Sequence, residues 1–429
     1  MKYRHAAALA AIALVATACG SDSESSAPDA SPAAEAQGVG PITFANGKDS
    51  SGVLQELLDK WNAAHPDEEV TLVELPAQAD GQRQQLIQNA QTESDAFDVI
   101  ALDVVWTAEF AANGWVDELP EGALPTSDIV PSLVEGTKYF DKMYAAPWGG
   151  GTGLLYYRTD LLDAAGLEPP TTWDELVAAC DAVLQLPEAE GVDCYGGQFN
   201  KYEGLTVNFS EAVNSAGGSV VGSDGQPTLT TPEAKAGLDF LVDGFASGRI
   251  PKEAITWDEE AGRRAFQAGK LLFHRNWSYV YALANETDGS SQVAGKFDIA
   301  PIPGATGYGH GTIGANNLAI SSFATNKKTA LDFITWITSQ DVAQHLLVES
   351  SQTPAYGAMY DDPELIDQFA FLPMLKEGLQ NAQPRPSIVH YGDGTAAIQE
   401  EVTAALAGEK SAEQALSDLQ DRLSEIVDQ

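Results

Sequence analysis

Cys19 is the residue whose setting prescribes a reaction most directly. It closes a segment in which Lys2 and Arg4 supply positive charge and Ala6 to Ala16 form an apolar run too short to span a bilayer. Thr17-Ala18-Cys19-Gly20 then places small residues around a thiol. This predicts a lipoprotein signal over residues 1–18, cleaved ahead of Cys19, with lipidation of that cysteine; two or more acyl chains hold a protein on a membrane. Three residues before Cys19 stands Ala16, where a lipobox more often carries Leu. The competing reading is a cleaved secretory signal with Cys19 as a passenger. The remaining cysteines are Cys180 and Cys194. In an oxidising compartment this isolated pair predicts a disulfide, and two buried free thiols are the alternative.

Other reactive groups are scattered. His65, His274, His310, His345 and His390 show no spacing suited to a zinc site, and no metal or other cofactor is expected. Gly149, Gly150, Gly151 and Gly153 lack the Lys-Ser/Thr that would follow in a phosphate loop, so they suggest a hinge or backbone lying close to a ligand. No Gly-x-Ser-x-Gly elbow is present. Tyr156 and Tyr157 fall on opposite faces of a strand, which suits packing better than joint metal ligation. A more informative pattern joins aromatic to polar residues: Trp106 after Asp103, Trp148 before the glycines, and Trp277 within Arg275-Asn276-Trp277-Ser278-Tyr279. Sugars offer apolar faces that stack on indoles and hydroxyls that need paired donors and acceptors. A carbohydrate cleft is the chemistry these residues fit. Each tryptophan taken alone would also fit a core.

The charge narrows the partners. The whole chain carries −39; without Lys2 and Arg4, 21 basic residues face 62 acidic ones, a formal charge of −41. Nucleic acid and anionic lipid surfaces would be repelled, so contact with a membrane is expected through the lipid anchor alone. Gly20 to Gly38 contains no large apolar side chain and cannot offset its ordering entropy, which predicts a flexible stalk over residues 19–40. An apolar fraction of 44% is that of an ordinary globular protein.

The elements that must position these residues read as α/β. A strand at 41–46, a helix with Leu54, Leu57, Leu58 and Trp61 on one face, a strand at 70–75, a helix over 82–92 and an apolar strand at 97–102 predict a mainly parallel sheet. In such sheets ligands gather beyond the carboxyl ends of strands, where Asp103 and Trp106 stand. Asp103 can also cap the helix that follows. Thr172-Trp173-Asp174-Glu175 reads as a capping box, and Thr231-Pro232 as a cap with an N1 proline. Further strands are expected at 154–157, 270–274, 297–301 and 317–321, with the last hundred residues mainly helical.

Several segments together resemble the bacterial extracellular solute-binding proteins of sugar ABC importers: Tyr139 to Pro147, Gly153-Leu154-Leu155-Tyr156-Tyr157-Arg158, Thr172 to Leu176, Phe266 to Lys270 and Asn317 to Ser321. The trehalose/maltose-binding lipoproteins of actinobacteria are similar in flavour. The resemblance implies an α/β fold of two lobes joined by hinge crossings, with residues 41–149 and 315–355 in one lobe, 150–314 and 356–429 in the other, and a ligand cleft between them. It implies sugar contacts at Arg83, Asp103, Trp277, Tyr279 and Arg385. Two positions depart from disaccharide binders: Gly151 stands where Asp or Asn is common, and Asn316 where Trp is common. The function implied is a non-catalytic, monomeric receptor on the extracellular face of the cell membrane that hands a carbohydrate to an ABC permease. A binder of glycerol phosphate or a charged glycoside, with Arg83 and Arg385 as anion clamps, and a secreted glycan-processing enzyme are the rival readings.

Overall fold

The structure is a computed structural model that describes residues 36–386, 388 and 390–428. Cys19, the signal segment and most of the stalk lie outside the described residues. The strands are β1 (Ile42–Asn46), β2 (Val70–Glu74), β3 (Val99–Asp103), β4 (Lys138–Tyr139), β5 (Lys142–Met143) and β6 (Ala146–Gly151). They continue with β7 (Leu154–Arg158), β8 (Asp193–Gly196), β9 (Leu271–Asn276), β10 (Phe297–Pro301) and β11 (Gly314–Ile320).

The first sheet has the order β2-β1-β3-β11-β6, and the second β10-β7-β9-β8. In the first, β1 runs parallel to β2 and β3, while β11 is antiparallel to both of its neighbours, β3 and β6. The second sheet is mixed, with the parallel pair β8–β9 beside antiparallel neighbours. The expected parallel unit is therefore the edge of a larger mixed sheet. The cause is the return of β11, which enters from the second sheet and so runs against the strands it joins.

Strand alternation gives the first sheet two apolar faces. Phe44, Val99 and Ala101 join a core with Leu54, Leu57, Leu58, Trp61 and Phe333, whereas Ala45, Ile100 and Leu102 face Leu86, Trp106 and Phe110. The helices Val53–Ala64 and Lys327–Ile337 cover one side and Ala79–Gln91 the other. The second sheet packs under Trp173–Val183, Glu203–Ser215 and Pro232–Ser247, which are joined by the last two helices, Tyr391–Leu406 and Ala412–Val427. Thr172 and Glu175 make both bonds of the capping box, and the Thr231 hydroxyl accepts from the Ala234 N–H ahead of Pro232. The chain passes between the sheets at residues 152–153 and 302–313, and again after the helix Gln340–Ser350. No helix among the described residues is long and apolar enough to cross a membrane.

Cys180, on the inner face of Trp173–Val183, is joined to Cys194 in β8, with both side chains fully buried and Cα atoms 5.4 Å apart. The bridge closes a short loop between a helix and a sheet edge. Chain-entropy arguments give about 3 kcal/mol for a loop of this size. Replacing both cysteines with Ala should lower the unfolding free energy by about that amount in denaturant titrations. An unchanged midpoint would show that the link contributes nothing.

Candidate functional site

The cleft is built where the first sheet ends. β3 and β6 finish there and β11 begins there, so Asp103, Asn316 and Gly149 lie side by side across three strands, with Gly314 opposite Gly151 one step further out. Between Asn316 and Asn317 the pairing with β6 shifts, which leaves Trp148 as the extra residue of a β-bulge. Such bulges re-aim a side chain. The indole of Trp148 lines the cleft, and its buried N–H has no partner among the described residues.

Residues from both sides enclose a cavity of about 400 Å³. The first sheet and its flanks contribute Asp103, Trp106, Trp148, Gly151 and Asn316, and the second lobe contributes Glu203, Trp277 and Tyr279. Arg385 enters from the segment ahead of Tyr391–Leu406. Of the residues named from the sequence, these eight besides Glu203 meet in one place: Asp103, Trp106, Trp148, Gly151, Asn316, Trp277, Tyr279 and Arg385. Trp106 belongs to the core as well, being 1% exposed.

Arg83 is the exception. Its guanidinium is held by Glu109, with Nη2 donating to Oε1 at 2.6 Å and to Oε2 at 2.8 Å, and it lies against Gly392, where a Cβ would come within 2.5 Å of it. It is absent from the cleft wall. A carboxylate one helix away captures the charge that the resemblance assigns to a ligand.

Arg385 is more deeply committed. It is 4% exposed, forms a two-pronged pair with Asp103, and donates through Nη1 to Oε1 of Glu203 at 2.7 Å. Glu203 opens the helix Glu203–Ser215 and also accepts from the hydroxyls of Tyr391 and Thr395. Burial pushes its carboxyl up, against the pull of Arg385. Asp80 reaches over to accept from the Glu203 N–H at 3.1 Å, and Gln78 donates to Asp258 at 3.3 Å, so further bonds run from the helix Ala79–Gln91 and its start to the second lobe. Asp103 is thus half of an ion pair as well as a wall residue. The Val105 N–H leans on it too, at 3.5 Å, so Asp103 caps the 3-10 turn Val104–Trp106 that leads into the helix Thr107–Ala112, and not that helix itself, beside its cleft role.

The second-lobe wall is held by its own network. The Tyr279 hydroxyl donates to Glu260 at 2.8 Å, and Arg263 pairs with the same carboxylate. Burial opposes the charge on Glu260, but Arg263 and Tyr279 outweigh it and hold the carboxyl below its usual range. Trp277 hangs from a fixed backbone: its carbonyl accepts from the Tyr156 hydroxyl at 2.7 Å and its N–H donates to the Asn276 side chain at 2.8 Å.

Sequence reading missed Lys48, Asp49, Glu203, Asp258, Glu259, Glu260, Gln352 and Thr353, which also line the cleft. Two of them carried a visible signal. Asp49 accepts from the Leu54 N–H, and Asp258 caps Glu259–Gln267 by accepting from the Ala261 N–H. Acids placed at helix starts show where helices begin, but not that two such starts face each other. Among the described residues no group of His, Cys, Asp and Glu is arranged to hold a metal ion.

Comparison with known proteins agrees with this architecture. A profile of the bacterial extracellular solute-binding protein family matches residues 45–344. A protein of Deinococcus radiodurans described as a probable ABC transporter-binding protein is 30% identical over 380 residues, covering 86% of this chain and 89% of the relative. A mannitol-binding protein of Pseudomonas aeruginosa is 26% identical over 313 residues, 71% of this chain and 70% of its own. The structure of maltose-bound MalE3 of T. maritima superposes with a TM-score of 0.85 at 32% identity, covering 89% of this chain and 98% of that one. With the two-lobed fold, the cleft between its sheets and the match over most of its length, the chain belongs to the bacterial extracellular solute-binding protein family.

Proposed function

We propose that this protein captures a neutral carbohydrate or polyol between its lobes and delivers it to the permease of an ABC importer. The observation that carries the reading is the cleft itself, in which the indoles of Trp148 and Trp277 and hydrogen-bonding groups from both lobes face one cavity. The maltose-bound relative and the mannitol-binding relative support the ligand class. An anionic ligand fits less well. Among the described residues the wall carries Asp49, Asp103, Glu203, Asp258, Glu259 and Glu260 against Lys48 and Arg385, and Arg83 and Arg385, the clamps an anion would need, are both engaged by carboxylates.

Calorimetry of the mature chain against maltose, trehalose and mannitol tests the reading. Binding of one of them should weaken five-fold or more in Trp277→Ala, since losing a stacked indole forfeits about 1 kcal/mol. Binding of none, or undiminished binding in the variant, would overturn it. The sugar should also be recovered intact after long incubation; its consumption would instead make the protein an enzyme.

The anchor is the second part of the proposal. Acylation of Cys19 would hold the receptor on the outer face of the cell membrane by a stalk, as a single-chain unit feeding the permease. Cys19→Ala should move the protein from the membrane fraction to the soluble one with its melting temperature unchanged. Continued sedimentation with membranes would refute the anchor.

A further inference from the structure

Beneath the cleft wall lies a buried ion pair that no ligand contact explains. Arg275 in β9 and Glu211 in the helix Glu203–Ser215 are 1% and 5% exposed at their side chains. They meet through two parallel bonds, Nε to Oε2 at 2.7 Å and Nη2 to Oε1 at 2.5 Å. Gln198 completes the arrangement, its Oε1 accepting from Arg275 Nη1 at 2.9 Å while its amide donates to the Arg275 carbonyl at 3.0 Å. All three nitrogens of this guanidinium are thus engaged, two by Glu211 and one by Gln198.

The fixed plane has a use. The central carbon of the guanidinium sits 4.0 Å from the centroid of the Trp277 ring, so a cation covers one face of the indole. The rim of the same ring rests against Gly314, where a Cβ would come within 2.7 Å of it. Glu211 touches that neighbourhood too, since its Oε1 accepts from the Thr312 N–H at 2.9 Å. Thr312 lies in the passage from the second sheet into β11. One carboxylate therefore fixes both the cation behind Trp277 and the chain that brings Gly314 to its rim.

We infer that Arg275 is a positioning residue for ligand selection: clamped by Glu211 and Gln198, it sets the angle at which Trp277 presents its free face to the cleft. The inference rests on the reading of Trp277 as a cleft platform, and it adds a residue outside the cleft wall that determines which flat-faced ligands stack well. The backbone of Trp277 has its own bonds to Tyr156 and Asn276, so what Arg275 governs is the ring and not the strand. A planar guanidinium does this and an ammonium does not, because lysine offers neither the fork that Glu211 grips nor a flat surface for the indole.

The direct test is the crystal structure of Arg275→Lys beside that of the wild type, both without added sugar. The Trp277 ring should be rotated or spread over several orientations in the variant, and a ring in the wild-type position overturns the inference. Maltose titration supplies the functional readout. Arg275→Lys should weaken binding five-fold or more, yet change affinity less than two-fold when Trp277 is already Ala. An equal loss in both backgrounds means that Arg275 merely supports the fold, and overturns the inference. Undiminished affinity in Trp277→Ala alone would instead sink the platform reading, and wild-type protein that ignores maltose would sink maltose as ligand; the ring position still decides the role of Arg275. Should Arg275→Lys fail to fold, the pair Arg275→Gln with Glu211→Gln removes both charges together and is read in the same way.

Discussion

Arg385→Met should lower the unfolding free energy of the sugar-free protein by about 3 to 5 kcal/mol, the usual cost of removing one member of a buried charge cluster. The guanidinium is nearly inaccessible and is shared by Asp103 and Glu203. Without it, Glu203 would be left with the hydroxyls of Tyr391 and Thr395, too little to offset its burial as an anion. Arg83→Met makes the control. Its pair with Glu109 is about one-fifth exposed on each side, and such pairs contribute about 1 kcal/mol or less. Urea titrations of the two variants should differ several-fold in their effect. Equal, small losses would mean that the charges around Arg385 are solvated in a way the geometry does not suggest. Asp103→Ala belongs with Arg385: because Asp103 is paired, its removal should lower the stability of the sugar-free protein as well as weaken binding.

Acid should destabilise the protein through His274, and His274→Gln should remove that sensitivity. The imidazole is fully buried, with Nδ1 facing the Gly196 carbonyl at 3.2 Å and Nε2 facing the Asn276 side-chain amide at 2.9 Å. A neutral ring that donates from Nδ1 and accepts at Nε2 satisfies both. A proton on Nε2 would confront the amide hydrogens of Asn276. Burial is the larger cause, and it pushes the His274 pKa down to about 3. The folded value lies below that of the unfolded chain, about 6.5, so between them the unfolded state binds more protons and stability falls as pH falls. Each unit of pH in that window should cost about 1.4 kcal/mol. Glu203 and Glu259, whose carboxyls burial raises, act in the opposite sense, but they are common to both proteins and cancel in the comparison. The difference in unfolding free energy between wild type and His274→Gln should therefore slope with pH from about 6 down to about 3. Parallel curves would show that His274 does not titrate as its surroundings demand.

Local signals in the sequence determined the elements and several of their roles. Short apolar runs between helical patterns placed β1, β2 and β3, the Thr172 and Glu175 pair marked a helix start, and the position of Asp103 at a strand end pointed to the cleft, because each depends on residues a few positions apart. Tryptophans beside polar residues also marked the cavity, since an indole next to a charged or amide side chain is costly to bury without a purpose. What the sequence could not decide was which charges neutralise one another. Arg83 and Arg385 look alike along the chain, yet one is taken by Glu109 at the flank and the other is locked between Asp103 and Glu203 in the wall, 282 and 182 residues away. The cation behind Trp277 depends in the same way on Glu211, 64 residues distant. Ion pairs are set by distances of a few ångströms between segments that meet only after the two sheets have packed. In a chain with 62 carboxylates, composition offers every arginine many partners, and tertiary structure alone selects the one it keeps.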